Sequence, residues 1–406
     1  MRPSSKRYAA ILTVAVLAGC SGNSGSPVPS AGGPATESIA QLTQPAPTFA
    51  SCPTVRMGEN VRCFARVRTD VRGLGRDSTP SGYGPAQLQS AYKLPSSTNG
   101  AGQTVAIVDA YDDPNIASDL AVYRSQYGLP ACTTANGCFT KVNQNGVAGS
   151  YPAANGGWAE EESLDVDMVS ANCPNCKIIL VEANSATNAN LGAAVNTAVS
   201  LGANVISNSY GGSESGSSNS NYNHPGTIIT ASAGDDGTGA AQPCSYSTVV
   251  CVGGTTLSTA NNARGWTETA WADSGSGCSA YVTKPSWQTD KGCTKRSEAD
   301  TSADANPSTG VAVYDSYAYE GYSGWLVFGG TSVASPLIAS VYALAGNAST
   351  LNYAQSIWQA GGSSSLNDVT SGSNGRCSKN YQYICNAGVG YDGPTGWGTP
   401  NGIGAF

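Results

Sequence analysis

From Gly82 onward, short apolar runs alternate with stretches of helical length. Thr104 to Val108 reads as a buried strand ending at Asp109, and Ile116 to Tyr127 follows as a helix. Ile178 to Val181 and Val205-Ile206 are strand-like runs separated by a helix from Leu191 to Leu201. Thr227 to Thr230 and Val249 to Val252 add two more. Such strands are apolar without alternation, so neither face can meet water. With helices between them, they predict a mostly parallel sheet covered on both sides. No internal repeat interrupts the pattern.

The N-terminal part reads differently. Arg2, Lys6 and Arg7 precede an apolar run from Ala9 to Ala18, too short to span a bilayer, so residues 1–19 read as an export signal. Leu17-Ala18-Gly19-Cys20 looks like a bacterial lipobox, which makes Cys20 the expected lipidation site. Residues 20–50, rich in Ser, Gly, Pro, Ala and Thr, read as a lipidated N-terminus and flexible linker. Residues 51–80 carry six arginines and read as a short disulfide-stapled extension or pro-segment remnant. Residues 81–406 form the expected main domain. Cysteine parity agrees with the lipid: of 13 cysteines, setting Cys20 aside leaves six sequence-close pairs, 52/63, 132/138, 173/176, 244/251, 278/293 and 377/385. The expectation is an exported lipoprotein on the cell envelope, with Ser21 favouring the outer membrane, or else a secreted protein.

Charge narrows the function. Charged residues are 12% of the 406, and from residue 81 onward there are 11 Lys/Arg against 23 Asp/Glu. No basic field exists to attract nucleic acid. Once its carboxylates are protonated the main domain carries few positive charges, so acid tolerance is expected. A monomer is expected.

Chemistry begins at Gly329-Gly330-Thr331-Ser332-Val333-Ala334-Ser335-Pro336. Glycines followed by an apolar helix through Leu337, Ile338, Val341 and Leu344 place Ser332 at a helix start, where free N–H groups favour an oxyanion. A Ser there can also be a plain N-cap. A serine nucleophile needs a base, usually His. The one histidine, His224, lies in Tyr222-Asn223-His224-Pro225-Gly226, without a glycine-rich helix start, and reads as a loop residue. The base is therefore sought among carboxylates. In Trp158-Ala-Glu160-Glu161-Glu162-Ser-Leu164-Asp165, Glu161 and Asp165 are four apart and share a helical face, so they can share a proton. Glu162 is second to Glu161 for this role, and a solvated acidic helix start is the bland alternative. Asp235, in Ser232-Ala-Gly234-Asp235-Asp236-Gly237, follows a buried strand.

Ser332, Glu161, Asp165 and Asp235, without a suitable His, resemble the sedolisin family of serine-carboxyl peptidases in the subtilisin-like clan. The resemblance runs from about Gly82 to Phe406. It takes in Tyr83-Gly-Pro-Ala-Gln87-Leu88, Val252-Gly-Gly-Thr-Thr256-Leu257, Pro285-Ser-Trp287-Gln288 and Ser302-Ala-Asp304-Ala-Asn-Pro307-Ser-Thr-Gly310. It implies an α/β, subtilisin-like fold and an acid-active endopeptidase acting on proteins and peptides. By motif, Ser332 is the nucleophile, Glu161 the base, Asp165 its partner and Asp235 the protonated acid at the oxyanion. Asp109 either extends this network or is a solvated strand-end acid. Ser207-Asn208-Ser209-Tyr210-Gly211-Gly212 resembles the strand that pairs with substrate backbone. Asp368, Val369, Gly388, Gly390 and Asp392 resemble the family's site for one structural Ca²⁺, whose hard oxygen donors suit that ion. Cys173-Pro-Asn-Cys176 reads as a structural disulfide. Family members commonly carry a long pro-region, and residues 21–80 are too short for one. Two other readings are a silent surface binding protein and a conventional enzyme using His224.

Overall fold

The computed structural model describes residues 45–406 except 72 and 217–219, so the signal segment, Cys20 and most of the linker lie outside the described residues. Each strand read from the apolar runs is present and runs on by two to several residues at its C-terminal end, while the runs at Thr227 and Val249 begin one residue later than read. Eight strands form the main sheet. Across it run Trp266–Ala270, Val250–Thr259, Ile228–Ser232, Val205–Asn208, Thr104–Ala110, Lys177–Ala183 and Phe139–Asn143, with Thr301–Asp304 also on Val250–Thr259. Every pairing is parallel except that of the Trp266–Ala270 edge strand.

Alternate residues of these strands enter two separate cores. Val105, Ile107, Ile178, Leu180, Val205 and Ile228 face one side. Ala106, Val108, Ile179, Val181, Ile206 and Ile229 face the other. This two-residue alternation is the pleat, and it explains why the sequence shows continuous apolar runs rather than alternating ones. Helices Gly156–Asn172 and Thr331–Ala345 cover the first face, through Leu164, Met168, Leu337, Ile338 and Val341. Helix Asn188–Ser200 covers the second through Leu191, Ala194, Val195 and Ala198. The fold is α/β and subtilisin-like.

The Thr331–Ala345 helix contains Pro336, which has no N–H to offer the carbonyl four residues back, that of Ser332. The Ser209 hydroxyl approaches that carbonyl instead, at 3.5 Å. Gly330 precedes the helix at φ 101°, a conformation that favours glycine.

The arginine-rich extension packs into the main domain. Arg66–Arg68 pairs antiparallel with Tyr322–Gly329, and Thr48–Ala50 pairs with Arg66–Arg68. Arg62–Cys63 pairs with Tyr210–Ser213, which also holds Ala241–Gln242. All six sequence-close cysteine pairs are disulfides. No helix among the described residues is long and apolar enough to cross a membrane. Ile107 is fully buried at the sheet centre, so Ile107→Ala should lower the unfolding free energy by about 2–5 kcal/mol, read by denaturant titration.

Candidate active site

The site lies where the parallel strands end, beyond their carboxyl termini, as open α/β sheets generally place ligands. Asp109 closes Thr104–Ala110, Ser209 follows Val205–Asn208, and Asp235 follows Ile228–Ser232. The Gly156–Asn172 helix brings Glu161 and Asp165 over this end, and the start of Thr331–Ala345 brings Ser332. The four residues expected to act together therefore come from three separate parts of the chain: one helix carries Glu161 and Asp165, a second carries Ser332, and the segment after a strand carries Asp235.

Ser332 is fully buried, and its hydroxyl faces both the Glu161 carboxyl and the Ser209 carbonyl, the latter at 3.3 Å. Glu161 is wholly buried, and burial first, then the nearby charge of Asp109, pushes its carboxyl well above the usual range. Asp165 is held high by burial and then by Asp109 and Glu161. Its Oδ1 accepts the Ser209 hydroxyl at 2.8 Å, so Ser209 touches Ser332 by its carbonyl and Asp165 by its side chain. Asp109 is no solvated strand end: both its oxygens are buried without a hydrogen-bond partner, and burial raises it to about 8. It extends the carboxyl network.

The three glutamates point in different directions. Glu162 faces Glu182, Asp113 and Lys141, while Glu160 meets Ser51 and the charge of Glu320. Only Glu161 reaches Ser332. All three are fully buried, which corrects any view of this run as a solvated helix start.

Asp235 sits at the start of the Thr331–Ala345 helix. Its Oδ1 accepts the backbone N–H and the hydroxyl of Thr331, both at 2.8 Å. Burial raises it to about 6, opposed by the Arg66 guanidinium, whose Nε lies 3.1 Å from Oδ2, and by the Thr331 bonds. His224 is turned elsewhere, its Nε2 lying 2.9 Å from Asn196 Oδ1 and 2.9 Å from the Asn221 carbonyl.

The chain matches the model of the subtilase family over residues 142–359. The chain belongs to the subtilase family. It is 28% identical to sedolisin of Pseudomonas sp. (strain 101), over 79% of this chain and 60% of that protein. Kumamolisin of Bacillus sp. (strain MN-32) is 27% identical over 84% of this chain and 66% of its own length. The chain thus spans roughly two thirds or less of these curated relatives. Among solved structures, Pseudomonas sedolisin, a serine-carboxyl proteinase complexed with two molecules of pseudo-iodotyrostatin, superposes with a TM-score of 0.66 at 28% identity, covering 80% of this chain and 96% of that one. The resemblance to the sedolisin family is supported by all three likenesses.

Sequence reasoning missed Ser209 as a bridge, and it missed Arg66 and Ala65, whose backbone N–H donates to Glu161 Oε2 at 2.8 Å. Arginine frequency in the extension was the only signal available.

At the expected calcium site, Gly388 N–H donates to Asp392 Oδ2 at 3.0 Å and Gly390 N–H to Asp368 Oδ2 at 2.9 Å. Two carboxylates thus converge on one bent loop whose tip, Val389, is exposed. These hard oxygens fit a calcium ion in kind, and Asp368 and Asp392 would be its anionic ligands. A separate buried trio, Asp113, Asp119 and Asp315, has carboxylate oxygens within 4.8 Å of one another.

Buried acids fix the sign of the pH response. Burial holds Asp109 and Glu160 at about 8 and Asp113 at about 7, above their unfolded values near 4. Between these limits the native state binds protons that the unfolded chain has released, so stability must fall as pH rises. The melting temperature should be higher at about pH 4.5 than at about pH 8, and a higher value at the alkaline end would contradict the assignment.

Proposed function

We propose that this protein is an acid-active serine-carboxyl endopeptidase that cleaves proteins and peptides through an acyl-enzyme on Ser332. One juxtaposition carries the reading: the Ser332 hydroxyl stands close to the Glu161 carboxyl, whose buried Oε1 has no hydrogen-bond partner, with the imidazole of His224 engaged elsewhere. Glu161 takes the hydroxyl proton as Ser332 attacks, then delivers it to the departing amine. Asp165 and Asp109 keep Glu161 basic enough for this. An ionised Glu161 between two further anions is unfavourable, so the cluster retains a proton to share. Asp235, when protonated, donates to the oxyanion beside the N-terminus of the helix, whose dipole favours the same charge.

Export with a lipid on Cys20 and one structural calcium bound by Asp368, Val369, Gly388, Gly390 and Asp392 complete the proposal. Calcium would tie the 388–392 loop to residue 368 across the chain.

Ser332→Ala and Glu161→Ala should each lower kcat/KM on a peptide substrate by about 10³-fold or more while the circular dichroism spectrum is kept. Full activity in either variant refutes the roles. Because Asp235 must hold its proton, kcat/KM should fall as pH rises through about 6. Asp235→Asn, which cannot ionise, should lose that limb of the profile. For the metal, chelation should lower the melting temperature of calcium-loaded protein, and an unchanged value counts against the site.

A further inference from the structure

Resting on that reading, we propose that the peptide bond between Phe64 and Ala65 is this chain's own processing site, cut by Ser332 of the same molecule. Four contacts lay that bond across the machinery.

Backbone pairing comes first. Arg62 and Cys63 run antiparallel to Gly211 and Tyr210, extending the strand as a bound peptide would. The pairing continues one residue further, where Phe64 N–H donates to the Ser209 carbonyl at 3.3 Å. That same carbonyl faces the Ser332 hydroxyl at 3.3 Å, so Phe64 and the nucleophile meet at one atom.

The carbonyl of Phe64 points at the helix start. A methyl group placed on Gly330 would lie 2.0 Å from Phe64 O and 2.9 Å from Asp235 Oδ2. The oxygen that would become the oxyanion therefore sits with the acid proposed to serve it. On the other side of the bond, Ala65 N–H donates to Glu161 Oε2 at 2.8 Å. The nitrogen that must leave as an amine already touches the group that must protonate it.

Both flanks are clamped. The Phe64 ring is buried on glycine: added methyl groups at Gly211 and Gly234 would approach it to 2.8 Å and 3.6 Å, and the Arg62 guanidinium lies 5.1 Å from its centroid. Downstream, Arg66 binds the Asp235 carboxylate and, at 2.6 Å, the Asp235 carbonyl, while Val67 pairs with Phe328. A cleft that holds an aromatic residue ahead of its cut also implies a preference for aromatic residues at that position in other substrates.

The chemistry balances. Ser332 Oγ bonds to the Phe64 carbonyl carbon, its proton passes to Glu161 and on to the Ala65 nitrogen, and the C–N bond breaks. Water then attacks the Phe64–Ser332 ester, with Glu161 taking its proton and returning one to Ser332. The products are a carboxyl at Phe64 and an amino group at Ala65. The Cys52–Cys63 disulfide lies wholly upstream, so it does not tether the two products. Cys20 then belongs to the upstream piece, which is held to the domain only by non-covalent contacts such as the pairing of Thr48–Ala50 with Arg66–Arg68.

The test uses the full chain, purified near neutral pH and shifted to about pH 4, with intact mass, N-terminal sequencing and hydrolysis of an added peptide carrying an aromatic residue followed together. Wild type should gain an N-terminus at Ala65, at a rate unchanged over about ten-fold dilution, because the reaction is intramolecular. Ser332→Ala should stay whole, as should Ala65→Pro, which lacks the N–H that Glu161 accepts. Wild type that hydrolyses the added peptide while the 64–65 bond stays whole overturns the inference but leaves the peptidase reading standing, and means that residues 62–66 leave the cleft uncut. Cutting at another bond, or in Ser332→Ala, overturns it equally. Neither self-cutting nor peptide hydrolysis would bring down both.

Discussion

A carboxyl group buried without a cation keeps its proton, because water can no longer stabilise the charge, and this site is built from that penalty. Asp109 has no hydrogen-bond partner for either oxygen. Glu161 and Asp165 stand beside it, Glu161 raised by burial and then by the charges of Asp109 and Asp235, and Asp165 by burial and then by those of Asp109 and Glu161. Asp235 differs in one respect: a guanidinium and a helix start lie against it, and it rises only to about 6. Environment thus separates acids of one chemical type into a high group that shares protons and a lower one that can switch. Such a split is what lets carboxyls divide the tasks of base and oxyanion donor.

Holding these anions together costs stability above their ionisation range, and the fold offsets it with packing. Every residue of the Gly156–Asn172 helix after the first is buried, so the helix is wedged between the sheet face and the nucleophile helix. Ser209 is the small part that joins the two ends of the network. Its hydroxyl serves Asp165, its carbonyl faces Ser332, and the gap left by Pro336 in the helix ladder opens the Ser332 carbonyl to the same hydroxyl.

Five of the eight strands of the main sheet were readable because burial on both faces writes an unbroken apolar run, whereas Phe139–Asn143, Trp266–Ala270 and Thr301–Asp304 carry too few apolar residues in a row to show it. Ser332 was readable because glycine, a helix start and a following proline leave a mark on sequence. The four-residue spacing of Glu161 and Asp165 gave their common face correctly. Nothing in the pattern showed that Glu160 and Glu162 are buried too, since an acidic run normally marks solvent. The strands at Arg62–Cys63 and Arg66–Arg68 escaped altogether. They are two and three residues long, rich in arginine, and exist only because distant strands supply their hydrogen bonds. Ser209 escaped for a related reason: its role is carried by a backbone carbonyl, which any residue would present.

A cleft that recognises extended backbone must leave a strand edge open, and an open edge attracts any strand that can reach it. Tyr210–Ser213 is such an edge, with Ala241–Gln242 on its other side. The chain covers it with its own Arg62–Cys63 segment rather than with a charged or bulged border. Glycines at 211 and 234 then decide what fits, because a Cβ at Gly211 would press on the Phe64 ring at 2.8 Å. The same backbone edge and the same glycine-floored pocket that hold the chain's own segment would serve an incoming peptide. On the proposed function, self-occupancy and substrate recognition would be one physical interaction, and neither could be altered at residues 209–212 without altering the other.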